Sequence, residues 1–168
     1  MIILAVDVFY EQDQAQIAGV LFNDWKATEP DRVIYSTSKD IQPYVSGAFY
    51  QRELPCITQL LRDHRLKPDI VIIDGYVFLD GHHQPGLGKY LFDEFDGKVP
   101  VIGVAKHPYR NISEKYALYR GKSKNPLYVT AAGIDSGDAK AYIRQMHGAY
   151  RIPTLLKMAD QLSRKQTT

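Results

Sequence analysis

Ile2-Ile3-Leu4-Ala5-Val6-Asp7-Val8 runs five apolar residues straight into a carboxylate. A strand apolar at every position is one buried on both faces, as at the centre of an α/β sheet. An ionised Asp there is costly unless it is paired or holds a metal. The ordinary alternative is an Asp that makes a turn at a strand end. Asp69-Ile70-Val71-Ile72-Ile73-Asp74-Gly75 repeats the pattern: a second buried strand ending in a carboxylate. Two such carboxylates side by side at a sheet edge suit a hard divalent cation, Mg²⁺ or Mn²⁺. The rest of the chain is read outward from that pair.

The 168 residues are about one domain's worth, and a single domain spanning 1–168 is expected. An apolar share of 45% makes the chain globular rather than disordered. With 21 basic and 19 acidic residues the net charge is +2, which neither demands nor excludes a nucleic-acid partner bound through a local basic patch. The lone Cys56 cannot form an internal disulfide, and the N-terminus lacks a basic leader with a long apolar core. A reducing, cytoplasmic setting is therefore expected. Cys56 itself reads as a small buried helix residue before it reads as a nucleophile. No run approaches the roughly 20 apolar residues of a membrane span.

Taken in order, Ile2 to Val8, Gln16 to Phe22 and Arg32 to Ser36 read as strands, with Asn23-Asp24 as a hairpin turn, so the N-terminus predicts an antiparallel meander. A loop over Ile41 to Gly47 leads into a helix from Phe49 to His64. Asp69 to Asp74 and Pro100 to Ala105 are further strands, with a short helix from Leu87 to Phe95 between them. Leu127 to Thr130 is a short strand, Ser136 to Met146 a helix capped by Asp135 or Ser136, and Pro153 opens a last helix to about Ser163. A meander followed by parallel additions through helices gives an α/β mixed sheet with helices on both sides.

Other polar residues stand in unusual places, each with a plainer explanation beside it. Glu53 lies one turn before Ile57 on the apolar face that carries Leu60 and Leu61; a first-turn Glu is also favoured by the helix dipole. Asp160 sits at the edge of the face carrying Leu155, Ala159 and Leu162. Lys106 ends a strand near the two carboxylates, where it would contact phosphate, or it is a surface lysine. Asp80, His82 and His83 fall in a polar segment, where a solvated loop is commoner than a metal site. Arg110, Lys115, Arg120, Lys122 and Lys124 interleave with Tyr116 and Tyr119, as in a run that tracks a phosphate backbone or in a solvated hairpin.

Together these residues resemble the endonuclease V family, nucleases with an RNase H-like fold. The likeness rests on Ala5-Val6-Asp7-Val8, on Pro43-Tyr44-Val45-Ser46-Gly47 followed by Gln51-Arg52-Glu53, and on Val71-Ile72-Ile73-Asp74-Gly75. It continues through Ile102-Gly103-Val104-Ala105-Lys106 to Tyr150-Arg151-Ile152-Pro153 and Ala159-Asp160. No single motif decides; five in order with similar spacing are specific. The resemblance implies cleavage of DNA or RNA near deaminated bases, chiefly inosine, with Mg²⁺ or Mn²⁺. It implies an acidic metal site of Asp7, Glu53, Asp74 and Asp160, with Lys106 as the active-site lysine. It implies nucleic-acid contacts from Pro43, Tyr44, Val45, Ser46 and Gly47, a wedge that separates bases, with His83 added from the segment after Asp74-Gly75. The chemistry suits the residue types. Carboxylates hold metals that stabilise attacking and leaving oxygens, a lysine offsets charge on the phosphorane, and Tyr44 offers a π-face where a base has left the stack.

The chain also departs from the family. Where a Gly-rich segment with His-Pro is usual, it has Tyr76 to Pro85; the wedge has Ser46 where Pro is usual, Gly133 is followed by Ile134, and residues between Lys106 and Leu127 look abbreviated. Tyr76, Val77 and Phe78 are bulky enough to fill a base pocket, so weak discrimination of inosine, or a preference for a flap or loop, is expected. Two other functions compete with a metal-dependent endonuclease. One is a nucleic-acid-binding module with the same fold and little catalysis, in which clustered carboxylates beside phosphate would have no use. The other is a small-molecule metal phosphatase, which the wedge-like loop and the basic run disfavour.

Overall fold

The computed structural model describes residues 1–39, 41, 43–46 and 48–165. Gly47 of the wedge reading lies outside them. Seven strands form one sheet: β1 (Ile3–Glu11), β2 (Gln14–Phe22), β3 (Arg32–Ser38), β4 (Ile70–Asp74), β5 (Val101–Ala105), β6 (Ala117–Leu118) and β7 (Leu127–Ala132). Their order across the sheet is β3-β2-β1-β4-β5-β7-β6. β1, β2 and β3 form the antiparallel meander, β4 and β5 add in parallel to β1, β7 pairs antiparallel with β5, and β6 pairs antiparallel with β7.

The period-two alternation of the central strands serves two cores. Leu4, Val6, Val71 and Ile73 face Cys56, Ile57 and Leu60 of α1 (Tyr50–Asp63) and Leu87 and Leu91 of α2 (Leu87–Glu94). Ile3, Ala5, Ile72 and Val104 face Ala139 and Ile143 of α3 (Ser136–Gln145) and Leu155 and Ala159 of α4 (Thr154–Ser163). Leu60 is fully buried, so Leu60→Ala would cost about 2–5 kcal/mol. Gly19 lets α1 sit this close: a Cβ there would meet side-chain atoms of Ile34, Leu4 and Leu60 at 2.9–3.0 Å.

Two local expectations are corrected. β1 does not stop at Val8 but runs on to Glu11, and the tight hairpin turn is Gln12-Asp13, with Gln12 at φ 53°. Asp7 is thus inside a strand, not at its end. Asn23-Asp24 is no tight hairpin, because residues 23–31 connect β2 to β3. Asp24 Oδ1 accepts the Lys26 N–H at 2.8 Å, and buried Trp25 stacks on Tyr142 of α3 at 4.7 Å, so this connection is anchored in the core. Asp135 caps α3, accepting the N–H groups of Gly137 and Asp138.

The strand exits near the carboxylates are tied by one contact set. Gly103 of β5 has no room for a side chain, since a Cβ would lie 2.5 Å from the Gly75 carbonyl and 2.8 Å from the Val77 nitrogen. Thr130 Oγ1 on β7 accepts the Val77 N–H at 2.8 Å. The segment leaving β4 therefore crosses over β5 at a fixed height, which sets where Gly75 and Tyr76 begin.

Candidate active site

Asp7 and Asp74 come together through strand register. Val6 pairs with Ile73 in the parallel β1–β4 ladder, so the next residue on each strand is Asp7 and Asp74. Neighbouring strands lie about 4.8 Å apart, and both residues share the parity of Ala5 and Ile72. Asp7 is 8% exposed, and its Oδ1 accepts the Val8 N–H at 2.9 Å. Burial first, and the Asp74 charge second, push its carboxyl up to about 7. Asp74 is also raised, mainly by burial, although Lys106 works against this with its Nζ 3.5 Å from Asp74 Oδ2.

Glu53 reaches the pair from α1. It is 5% exposed, and its Oε2 is buried with no hydrogen-bond partner among the described residues. Burial, then Asp7, then Asp74 hold its carboxyl well above the usual range. Arg52 beside it lies 3.8 Å over the Tyr10 ring and offsets part of that cost. Asp160 of α4 is the fourth contributor: its charge raises both Asp7 and Asp74, and its Oδ1 accepts from Arg164 Nε at 3.1 Å. Asp7 and Asp74 thus feel Asp160, and Glu53 feels Asp7 and Asp74. Among the described residues, no group of three or more acidic, His or Cys side chains stands ready-formed as a metal site. Ionised carboxylates crowded in low dielectric repel one another, and that repulsion opposes a closed set without a cation. Cys56 is buried on the same helix, its thiol pushed up to about 11 by burial and by Glu53, which makes it a poor nucleophile.

A cleft of about 720 Å³ opens beside Asp74 and Lys106. Tyr44, Ser46, Phe49 and Tyr50 form one wall, Gly75, Tyr76, Leu79 and Gly86 another, and His107, Tyr109 and Arg110 close the third side. Tyr44 is 63% exposed, and Val45 and Pro43 are exposed without lining the cleft. Gly75 has φ 137°, and none of the described residues beyond its chain neighbours lies within 4 Å of where a Cβ would stand, so its backbone faces the cleft.

The expectation that bulky residues fill this pocket is overturned for two of the three. Val77 is fully buried and Phe78 packs against the core under α1 and α2. Only Tyr76 lines the cleft, and its hydroxyl is occupied, donating to the His107 carbonyl at 2.7 Å and accepting the Tyr109 N–H at 3.0 Å. His83 is not brought to the cleft. It is exposed on a loop whose turn Asp80 holds by accepting the N–H groups of His82, His83 and Gln84. Those N–H groups push the Asp80 carboxyl down.

The basic run divides. Arg110 lines the cleft, but Arg120 is buried with its guanidinium donating to four main-chain carbonyls, and Tyr116 is core. Neither of the last two can meet a phosphate. Sequence reasoning gave Tyr109 and Arg151 no role. Tyr109 carries no local signal, since a loop after a strand is unremarkable. Arg151 lies within the Tyr150-Arg151-Ile152-Pro153 stretch, where no nearby residue points to its role.

Comparisons with known proteins bear on the fold and the family. A family model described as Endonuclease V matches residues 1–118. Endonuclease V of Trichormus variabilis is 27% identical, covering 96% of this chain and 81% of its own. That of Desulfurococcus amylolyticus is 27% identical over 98% of this chain and 80% of its own, so the likeness extends past the matched span to Asp160. The structure of the Streptomyces avermitilis endonuclease V superposes with a TM-score of 0.79 at 25% identity, covering 98% of this chain and 80% of that one. A Ciona intestinalis endonuclease V, solved with a 24mer DNA containing an inosine followed by a ribo-adenosine, gives 0.77 at 22% identity over 97% and 84% of the two chains. The fold is RNase H-like, and the chain belongs to the endonuclease V family.

Proposed function

We propose that the protein is a metal-dependent endonuclease that hydrolyses phosphodiester bonds of DNA or RNA near deaminated bases such as inosine. The observation that carries this is the Asp7–Asp74 pair on adjacent parallel strands, with Lys106 at 3.5 Å from Asp74 and both Asp74 and Lys106 lining an aromatic-walled cleft. The donor set fits a hard cation. All its groups are carboxylates, and the buried Glu53 Oε2 lacks a donor among the described residues, a cost that a bound Mg²⁺ or Mn²⁺ would remove. Asp7, Glu53, Asp74 and Asp160 would hold it. When bound, such an ion supplies an activated water and charge stabilisation for phosphodiester hydrolysis.

The chain's own groups supply the rest. The Lys106 ammonium stands beside Asp74, within reach of a phosphate bound there, and would offset the charge that grows on its oxygens. Tyr44, exposed on its loop, offers a face to the neighbour of an extruded base. The open backbone at Gly75 leaves room for the ring edge of that base, and Tyr76, with its hydroxyl already bonded, stands as a fixed wall.

End-labelled DNA and RNA oligonucleotides, with and without one inosine, incubated with Mg²⁺, Mn²⁺ or EDTA, test this. Metal-dependent cutting is the expected result. Binding without cutting in either metal would leave only the nucleic-acid-binding module.

A further inference from the structure

We infer that Arg151 is a positioning residue for Lys106, and that Arg120 in turn holds Arg151. This rests on the reading of Lys106 as the phosphate-facing cation. Lys106 is the first residue beyond β5, so the sheet ladder no longer fixes it. The Arg151 guanidinium takes over: Nη2 donates to the Lys106 carbonyl and, at 3.0 Å, to the Pro126 carbonyl, while Nε donates to the Asn125 carbonyl at 2.8 Å. One planar group thereby ties the exit of β5 to the entry of β7, from the loop that leads into α4.

That loop is fixed by a second guanidinium. Arg120 donates to the carbonyls of Tyr150 at 2.7 Å, Arg151 at 3.2 Å, Met146 at 2.7 Å and Gly148 at 3.1 Å. The Met146 carbonyl lies at the C-cap of α3, where the helix dipole favours a cation. Every acceptor these two side chains meet among the described residues is a main-chain carbonyl. Arg120 is buried, which is expensive for an arginine, and Arg151 is half-buried; two guanidiniums given over to carbonyls alone fix backbone position. The path runs from Arg120 to the Arg151 carbonyl, from the Arg151 fork to the Lys106 carbonyl, and from Lys106 Nζ to Asp74. A lysine cannot replace Arg151, because a point charge on a flexible stem does not span the carbonyls that the fork reaches.

The test is a double-variant cycle on cleavage by Arg151→Ala, Lys106→Ala and the pair, with melting curves and crystal structures of each. Arg151→Ala should lower kcat by about tenfold to a hundredfold, the scale of a misplaced group, with KM unchanged. On the Lys106→Ala background the same change should cost less than about twofold, since coupled residues are not additive. Lys106 Nζ should leave Asp74 in the Arg151→Ala crystal structure. Losses that multiply, or a lysine still against Asp74 despite lost activity, would overturn the inference. If Arg151→Ala does not melt cooperatively, Arg151→Lys is carried through the same cycle with the same expectations. Wild-type protein that cuts nothing would remove the nuclease reading, and the crystal structures alone would then decide whether Arg151 places Lys106.

Discussion

Asp7 and Asp74 occupy the next places along two parallel strands after the Val6–Ile73 pair, so the sheet itself holds two carboxylates beside each other. Strand register is rigid, and neither residue can move away without breaking the ladder. The cost appears as raised carboxyl pKa values at both positions.

That cost sets a pH dependence. The Asp7 carboxyl moves from about 3.8 when unfolded to about 7 when folded. Between those values the unfolded chain has released a proton that the folded one keeps, so stability is greatest below about pH 4 on this group's account and falls as pH rises to 7. Asp74 and Glu53 are shifted the same way and add to it. The loss from Asp7 alone is on the order of 4 kcal/mol. Urea unfolding in EDTA at pH 5 and pH 8 should show it, and Asp7→Asn should flatten the difference and be the more stable protein at pH 8. A wild type equally stable at both values would mean that Asp7 is not strained.

Metal should reverse the penalty. Mn²⁺ or Mg²⁺ at a hundred times its dissociation constant stabilises the native state by about 2.7 kcal/mol. Wild-type melting temperature should rise with added Mn²⁺, and the rise should vanish in Asp74→Asn and Glu53→Gln. The same two variants, and Asp7→Ala, should lose metal-dependent cleavage while keeping a cooperative melt. Full activity in Asp7→Ala or Asp74→Asn would remove the site.

The wedge reading makes a separate claim. Tyr44 is 63% exposed on the cleft wall, so its ring contributes little to folding. Tyr44→Ala should leave the melting temperature in place and weaken oligonucleotide binding by about 1–3 kcal/mol, the worth of one base stacked on an aromatic ring. Fluorescence anisotropy on an inosine-containing strand measures it; unchanged affinity would make the loop a bystander.

How much of this was legible in the sequence follows from the range of each interaction. The central strands and both helix faces were legible because period-two and i, i+3, i+4 patterns are local. Glu53 was visible as a misfit on an apolar stripe, and it is buried. The course of β1 past Asp7 was not legible, because one buried carboxylate looks like a terminus. Val77 and Phe78 looked available to the cleft because nothing nearby in sequence shows that Thr130 and Gly103, on other strands, turn that segment inward. The burial of Arg120 and Tyr116 is not legible in the basic run for the same reason: their partners, the carbonyls of residues 146–151 for Arg120, lie far along the chain.

Specificity is where structure changes the expectation most. With Val77 and Phe78 turned into the core, the cleft stays open over Gly75, within the size range of small-molecule sites. A base taken out of the stack would therefore have a place to go, and the protein should cut inosine-containing strands in preference to matched ordinary ones, by about a hundredfold or more. The wall opposite depends on the Tyr76 hydroxyl, which fixes His107 and Tyr109 at the mouth. Tyr76→Phe keeps the ring and frees that loop. Its kcat/KM on the inosine strand should fall toward the value for the ordinary strand, while cutting of the ordinary strand changes little because Asp7, Asp74 and Lys106 are untouched. Parallel single-turnover assays on the two strands measure both numbers. Equal losses on both strands would place Tyr76 in the cutting machinery, and no loss on either would mean that the wall at residues 107–110 does not read the base.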